Sequence, residues 1–318
     1  MSFTLKQLRY AIAVADLGHF GRAAAACNVT QPALSQQIQS LEAWCGIPIF
    51  DRLVREVRLT PFGREFVGRA RPLLSGAEAL ASFAAGPATA PDRPLRFGLI
   101  PTVAPYLLPD VFPALAQRLP EMRFAISEDR TGALLAALGD GSLDLALIGS
   151  ELPRGGPKLS SLPLFEDPFV LATSLAEARQ GPVSLAGVPP ERILLLDEGH
   201  CFRDQAIAAC DLGSELSSRT FAATSLSTIV EFVAAGQGVT LLPRIALRKE
   251  AGDRIAIHPL APPRPGRRLS LVWRDGSPFA GVFEQVAELI RETGMGEAKA
   301  SPPGWAPRAA GDCGSCHS

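Results

Sequence analysis

Residues 86–94 divide this sequence in two. The stretch Gly86-Pro87-Ala88-Thr89-Ala90-Pro91-Asp92-Arg93-Pro94 holds three prolines and no apolar residue larger than alanine. Such a segment neither propagates a helix nor supplies a core strand. The residues before it must therefore pack separately from the residues after it. A chain of 318 residues suits that division, because domains run to roughly 100–200 residues each. At 47% apolar and 20% charged residues, both sides have the material for cores, and disorder over most of the length is excluded.

The two sides carry different hydrophobic rhythms. In the head, Leu5, Leu8, Ile12 and Ala15 recur at helical spacing and Gly18 stops the helix. His19 to Cys27 reads as a short second helix and Asn28-Val29 as a tight turn. Thr30 sits where a third helix needs its cap, with Pro32 just inside the first turn, where a missing N–H does no harm. Leu34, Ile38, Leu41 and Cys45 form the stripe of that helix, and Gly46 ends it. Two short helices joined by a tight turn predict a helix-turn-helix. Ile47–Phe50 and Val57–Leu59 flank the charged tip Asp51–Glu56 as a two-stranded wing, and Thr60-Pro61 opens a long fourth helix. Beyond the linker the pattern becomes strand alternating with helix, beginning with Leu95–Ile100 and restarting at Ile193–Leu196. That alternation predicts a mainly parallel α/β sheet. Two such runs predict two lobes with a crevice between them, the usual place for a ligand or sensor site. The expected organisation is residues 1–59 as winged helix-turn-helix, 60–85 as linker helix, 86–94 as hinge, 95–294 as a two-lobed regulatory unit and 295–318 as a disordered tail.

Charge follows the same division. Residues 1–75 hold nine Lys/Arg against five Asp/Glu, and the remainder holds 22 against 27. A basic head on an acidic body points weakly to nucleic acid at one end. No apolar run approaches the roughly 20 residues of a membrane span. Ala11–Ala15 is too short for the ~7–15-residue core of a secretory signal, so the expected location is cytoplasmic. Six cysteines, widely scattered, make no disulfide scaffold.

The third helix presents Gln31, Ser35, Gln36 and Gln39 on its polar side, beside Pro32. Gln bonds adenine edges, and Ser bonds bases or phosphates. Arg52 and Arg55 at the wing are placed for the phosphate backbone. Polarity alone is equally consistent with a plain solvated face. The motifs go further. Phe20-Gly21-Arg22-Ala23-Ala24, Thr30-Gln31-Pro32-Ala33-Leu34-Ser35-Gln36-Gln37-Ile38, Leu41-Glu42, Phe50-Asp51-Arg52 and Leu59-Thr60-Pro61-Phe62-Gly63 occur in order. Residues 5–65 thereby resemble the winged helix-turn-helix of LysR-type transcriptional regulators. The resemblance implies an operator in double-stranded DNA, a dimerising linker helix, and a two-lobed α/β effector domain like that of periplasmic binding proteins. One departure is that Gln36 and Gln39 stand where many relatives carry Arg.

A second motif is Asp197-Glu198-Gly199-His200-Cys201-Phe202-Arg203-Asp204-Gln205, followed at the end of a predicted helix by Cys210. Two cysteines nine positions apart are more commonly unrelated buried thiols. The setting argues otherwise, because Cys201 precedes a helix whose first N–H groups favour a thiolate, the form that attacks peroxide. His200 and Arg203 add positive charge or hydrogen bonds. A carboxylate at Asp204 works against the thiolate unless Arg203 offsets it. If residues 201–210 form one straight helix, nine rises of about 1.5 Å separate its ends by ~13–14 Å. A disulfide needs Cα atoms within ~7 Å, so joining the two cysteines requires the segment to refold. A loop that held them close would remove that demand.

This segment is similar to the redox loop of the hydrogen-peroxide-sensing members of the same family. So are Gly98–Pro109, Ala223–Leu226 and Ala234–Pro243. The similarity implies a peroxidatic Cys201 and a resolving Cys210. It places Thr102, Thr131, His200, Arg203, Asp204 and Gln205 about the peroxide. It implies no cofactor or metal and no enzymatic turnover. It also implies self-association as a dimer and on to a tetramer, glutaredoxin or thioredoxin as reductant, and contact with RNA polymerase. The alternatives are a regulator answering a small molecule in the interlobe crevice and, further off, a thiol peroxidase, for which a DNA-binding head has no use. Cys313-Gly314-Ser315-Cys316-His317 has the form of a haem-attachment or thiol motif. Its Pro- and Gly-rich surroundings favour an inert tail.

Overall fold

The structure is a computed structural model that describes residues 3–52, 57–85, 93–153, 155–212 and 222–299. Arg55, most of the hinge, and the stretch with Cys313, Cys316 and His317 lie outside the described residues.

The head consists of α1 (Leu5–Leu17), α2 (Phe20–Ala26), α3 (Gln31–Cys45), β1 (Phe50–Arg52), β2 (Val57–Leu59) and α4 (Pro61–Ala85). A reciprocal cap starts α1. Thr4 Oγ1 accepts from the Gln7 N–H at 3.2 Å, and Gln7 Oε1 accepts from the Thr4 N–H at 2.9 Å. Gly18, with φ +61°, ends it in the left-handed conformation that glycine adopts without penalty. The buried stripe is Leu8, Ala11 and Val14, while Leu5 is 50% exposed. The core face is therefore turned from the expected one. Thr30 takes the extended backbone of an N-cap, but its side chain makes no cap bond. The capping side chain of the motif is His19, whose Nδ1 accepts from the Gly21 N–H at 3.0 Å at the start of α2.

The wing is locked to α3 and α4. Glu42 Oε1 accepts from the N–H groups of Ile49 and Phe50 at 2.9 and 3.0 Å. Thr60 Oγ1 donates to the Pro48 carbonyl and accepts from the Gly63 N–H, both at 2.8 Å. A Cβ on Gly63 would stand 2.0 Å from the Ile49 carbonyl oxygen, so only glycine permits this approach.

The body runs β3 (Leu95–Leu99), α5 (Ala104–Arg118), β4 (Phe124–Glu128), α6 (Thr131–Asp140), β5 (Leu145–Ile148), β6 (Leu159–Ser174), β7 (Leu195–Leu196), α7 (Cys201–Ala209), β8 (Ala222–Ala223), α8 (Leu226–Ala234), β9 (Thr240–Pro243), α9 (Leu247–Glu250), β10 (Ile255–Pro259), β11 (Gly266–Arg274) and α10 (Ala280–Lys299). In the first lobe β3 lies between β4 and β5, all parallel. In the second lobe β7 and β8 are parallel. The expectation of a mainly parallel sheet fails at the strands that join the lobes. β6 is antiparallel to β9, β10 and β11, and β11 is antiparallel to β5.

β6 is one continuous strand from Leu159 to Ser174. Pro163 sits beside the register shift at Leu269/Ser270 of β11, where a bulge tolerates a residue that cannot donate. Its carbonyl accepts from the Arg291 Nε at 3.1 Å. α10 extends to Lys299, past Gly294, where the tail was expected to begin.

At the hinge, Arg93 meets Asp144 two-pronged at 2.6 and 2.8 Å and reaches Glu78 of α4 at 3.4 Å. Burial pushes the Asp144 carboxyl up. The hydrogen bonds and charge of Arg93 and Arg96 outweigh that and hold it well below the usual carboxylate range.

Candidate functional site

The turn after β7 carries the site. Cys201 is the first residue of α7, and Cys210 is its C-cap, donating its N–H to Ala206 O at 3.0 Å. Both thiols are free and half-buried. Nine rises of about 1.5 Å separate them by about 13 Å, so the straight helix considered from the sequence is the one present. Burial pushes the Cys210 thiol up to about 11.

Helical geometry sorts the neighbours. At 100° per residue, Gln205 falls about 40° from Cys201, whereas Arg203 falls on the opposite face, about 200° away. Gln205 donates from Nε2 to the Gly149 carbonyl at 2.5 Å, reaching from the second lobe into the first. Arg203 is buried and donates from Nη1 to Leu196 O at 2.7 Å, bracing α7 against the strand behind it. The Asp204 side chain is exposed. Phe202 packs edge-on to Phe169, with centroids 5.0 Å apart, and beneath the Arg267 guanidinium at 5.4 Å.

Thr102 is buried at the start of α5. Its hydroxyl accepts from Arg267 Nη1 at 2.7 Å and its carbonyl from Nη2 at 3.0 Å. The same guanidinium holds Asp167 Oδ2 at 3.0 Å through Nε, and Asp167 Oδ1 accepts from the Ile245 N–H at 3.0 Å. Asp167 and Arg267 were not singled out from the sequence. They stand 100 positions apart beside Glu166 and Arg268, with nothing local to mark them as a pair. Burial alone could have been inferred, from the apolar runs that follow each.

His200 is buried at the N-cap of α7. Its Nε2 lies 3.0 Å from Asp197 Oδ1, at ion-pair distance but without hydrogen-bond alignment. Burial pushes its imidazole below the ordinary range, with Asp197 pulling upward and Arg130 downward. Asp197 Oδ2 accepts from Arg130 Nη2 at 2.6 Å, across from the residue that precedes Thr131. Thr131 Oγ1 and Gln205 Oε1 are buried without a hydrogen-bond partner, whereas Asp197 Oδ1 has His200 Nε2 beside it. Orphaned polar atoms are rare in packed interiors, so the Thr131 and Gln205 oxygens each call for a donor. A cavity of about 360 Å³ lined by Thr173, Arg192 and His258 lies in the second lobe and shares no residue with α7.

On the head, Gln31, Pro32, Gln36 and Gln39 are exposed and Ser35 is half-buried along the outer side of α3, opposite Leu34, Ile38 and Leu41. Arg52 ends β1.

A helix-turn-helix with a wing, a long connecting helix and a two-lobed α/β body define a bacterial regulator. Residues 5–64 match the bacterial regulatory helix-turn-helix protein, lysR family, and residues 88–294 match the LysR substrate binding domain. The chain belongs to the LysR family. Within it, the chain is 39% identical over 290 residues to the DNA-binding transcriptional dual regulator OxyR of Escherichia coli K12, covering 90% of this chain and 94% of that protein. It is 40% identical over 297 residues to a probable hydrogen peroxide-inducible genes activator of Streptomyces viridosporus, covering 91% and 94%. A full-length OxyR variant from Pseudomonas aeruginosa superposes with a TM-score of 0.78 at 34% identity, covering 92% and 95%. A hydrogen-peroxide-bound OxyR mutant from Corynebacterium glutamicum does so at 0.63 and 33%, covering 94% of each.

Proposed function

We propose that this chain is a DNA-binding transcription regulator that senses hydrogen peroxide and is switched by a disulfide between Cys201 and Cys210. The observation that carries the reading is the placement of two free thiols at opposite ends of one short helix, with the unpartnered Gln205 Oε1 one turn from Cys201. Cys201 has the first-turn position where N–H groups favour negative charge.

The chemistry balances with peroxide as the only oxidant. The Cys201 thiolate attacks one peroxide oxygen. The S–O bond forms, the O–O bond breaks, and the second oxygen leaves as hydroxide and takes a proton to become water. Sulfur is oxidised to sulfenic acid and peroxide is reduced. The Cys210 sulfur then attacks the Cys201 sulfur. The S–S bond forms, the S–O bond breaks, and the departing hydroxide leaves with the Cys210 proton as a second water. Thr131 and Gln205, with Thr102 and His200, orient the peroxide O–O bond and stabilise the leaving oxygen. Arg203 braces the helix in this reading, and Asp204 stays in solvent.

Because the helix spans more than a disulfide can bridge, the second step forces α7 to unwind, which couples oxidation to shape. Gln31, Pro32, Ser35, Gln36 and Gln39 read the major groove, and Arg52 and Arg55 hold the backbone. The chain works in the cytoplasm as a dimer or tetramer, with glutaredoxin or thioredoxin as reductant and RNA polymerase as its output partner.

The test is peptide mapping after mild peroxide, on the wild-type chain and on Cys201→Ser, with a DNA footprint in both redox states. A 201–210 linkage that disappears in the variant and a footprint that moves on oxidation are expected. Absence of the linkage returns the chain to a regulator of unknown signal. Sustained peroxide consumption with a thiol reductant makes it a peroxidase.

A further inference from the structure

Four contacts hold the start of α7 in place, and two of them cross between the lobes. Phe202 and Arg203 are buried within the packed body. Gln205 reaches the Gly149 carbonyl one turn along. Ahead of the helix, Asp197 of the second lobe is held by Arg130 of the first at 2.6 Å. Between Asp197 and Cys201 lies Gly199, with φ +89°, so the backbone between the anchor and the thiol passes through the left-handed region. The Arg130 side chain lies over that turn, since a Cβ on Gly199 would stand 2.9 Å from Arg130 Cδ. Arg130 therefore grips the carboxylate before the turn and covers the turn itself.

We propose that Arg130 and Asp197 form a cross-lobe latch on the N-terminal turn of α7, and that its opening sets the rate at which oxidised Cys201 is joined to Cys210. Arg130 and Asp197 are positioning residues for this step and do not touch peroxide. The inference rests on the proposed Cys201–Cys210 switch and adds the element that governs its second step. The sulfenic acid forms with α7 intact. The disulfide cannot form until about 13 Å of helix collapses, and the turn before Cys201 cannot swing while Arg130 lies across it. The pair is partly exposed, at 46% and 29% for the two side chains, so it is strong enough to slow release, weak enough to open, and sensitive to salt.

The experiment separates the two oxidation steps. Sulfenic acid formation is followed by dimedone trapping in a Cys210→Ser background, and disulfide formation is followed by rapid quench in the chain with both cysteines. For Arg130→Ala and Asp197→Asn, the ratio of the second rate to the first is expected to rise about two- to fivefold, the range a partly exposed ion pair supports. High salt is expected to speed the second step in the wild type and leave Arg130→Ala unmoved. The His200 titration, followed by NMR, is expected to move upward in Arg130→Ala, a response that a purely structural role would not give. A wild-type ratio in Arg130→Ala, or equal salt dependence in both proteins, overturns the latch. If the wild-type chain forms no 201–210 bond at all, the underlying switch fails instead.

Discussion

Arg267 donates from Nε to Asp167 Oδ2 across 3.0 Å, with the two side chains 0% and 1% exposed. The remaining guanidinium nitrogens hold both the hydroxyl and the carbonyl of Thr102. One buried cation thus fixes the strands that join the lobes to the start of α5. Arg267→Ala would leave the Asp167 carboxylate buried against a void. It is expected to destabilise the protein by about 3–5 kcal/mol, read as a lower urea midpoint. Arg267→Lys keeps the charge but loses the fork, and it is expected to recover only part of that loss.

Cys210 offers a test that needs no oxidant. Its thiol stands at about 11 against an ordinary 9.0 because it is buried. A raised thiol holds far less thiolate below pH 9, so iodoacetamide at pH 8 is expected to label Cys210 at least about tenfold more slowly in the native protein than in urea. The same shift makes stability depend on pH. The folded state favours the neutral thiol, so this contribution is complete below the unfolded value of 9.0 and is lost as pH rises through about 11. Cys210→Ala is expected to flatten the alkaline limb of a urea-midpoint-versus-pH curve.

The helix boundaries of the head were legible because their signals are local, although the buried face of α1 and the His19 cap were not. Gly18 and Gly46 end helices where they stand in the sequence, with φ of +61° and +70°. The helix that ends at Cys210 was legible for the same reason, although the sequence set Cys201 just ahead of it rather than at its first position and left a loop open. The body was legible in order but not in direction. Strand–helix alternation correctly marks the parallel β3, β4 and β5, but it carries no sign for β6 and β11, whose pairing is set by partners a hundred residues away. Asp167, Arg267 and Arg130 were missed together, and Asp197 was read only as the first residue of the cysteine motif. Each acts through a contact at long range, and only folding brings such charges into pairs.

Gly63 presents the sharpest steric constraint in the head. A Cβ there would lie 2.0 Å from the Ile49 carbonyl oxygen and 2.9 Å from its carbon. These are backbone atoms and cannot rotate away. Gly63→Ala is therefore expected to push α4 off the wing and destabilise the head by about 1–3 kcal/mol. Loss of DNA affinity without change in the oxidation of Cys201 is the expected signature, measured by fluorescence anisotropy with operator DNA and by thiol titration.

The hinge gives the acid-side counterpart. Asp144 is buried, yet Arg93 and Arg96 hold its carboxyl well below the unfolded value of 3.8. A depressed carboxylate contributes stability that is present above the unfolded value and lost as pH falls below about 4 towards the folded one. Because the two arginine side chains are about one-third exposed, at 32% and 31%, solvent screening limits that contribution to about 1–3 kcal/mol. Asp144→Asn removes the charge that both arginines converge on. It is expected to lower the urea midpoint at pH 7 and to make the variant less sensitive than the wild type to acid below pH 4. Arg93 also reaches Glu78 of the long helix, which in turn lies 3.7 Å from Arg9 of α1. The same substitution should therefore loosen the body from the head, and faster proteolysis within residues 86–94 would report it. An unchanged cleavage rate would mean that the Arg93–Asp144 pair stabilises the body without tethering the two parts.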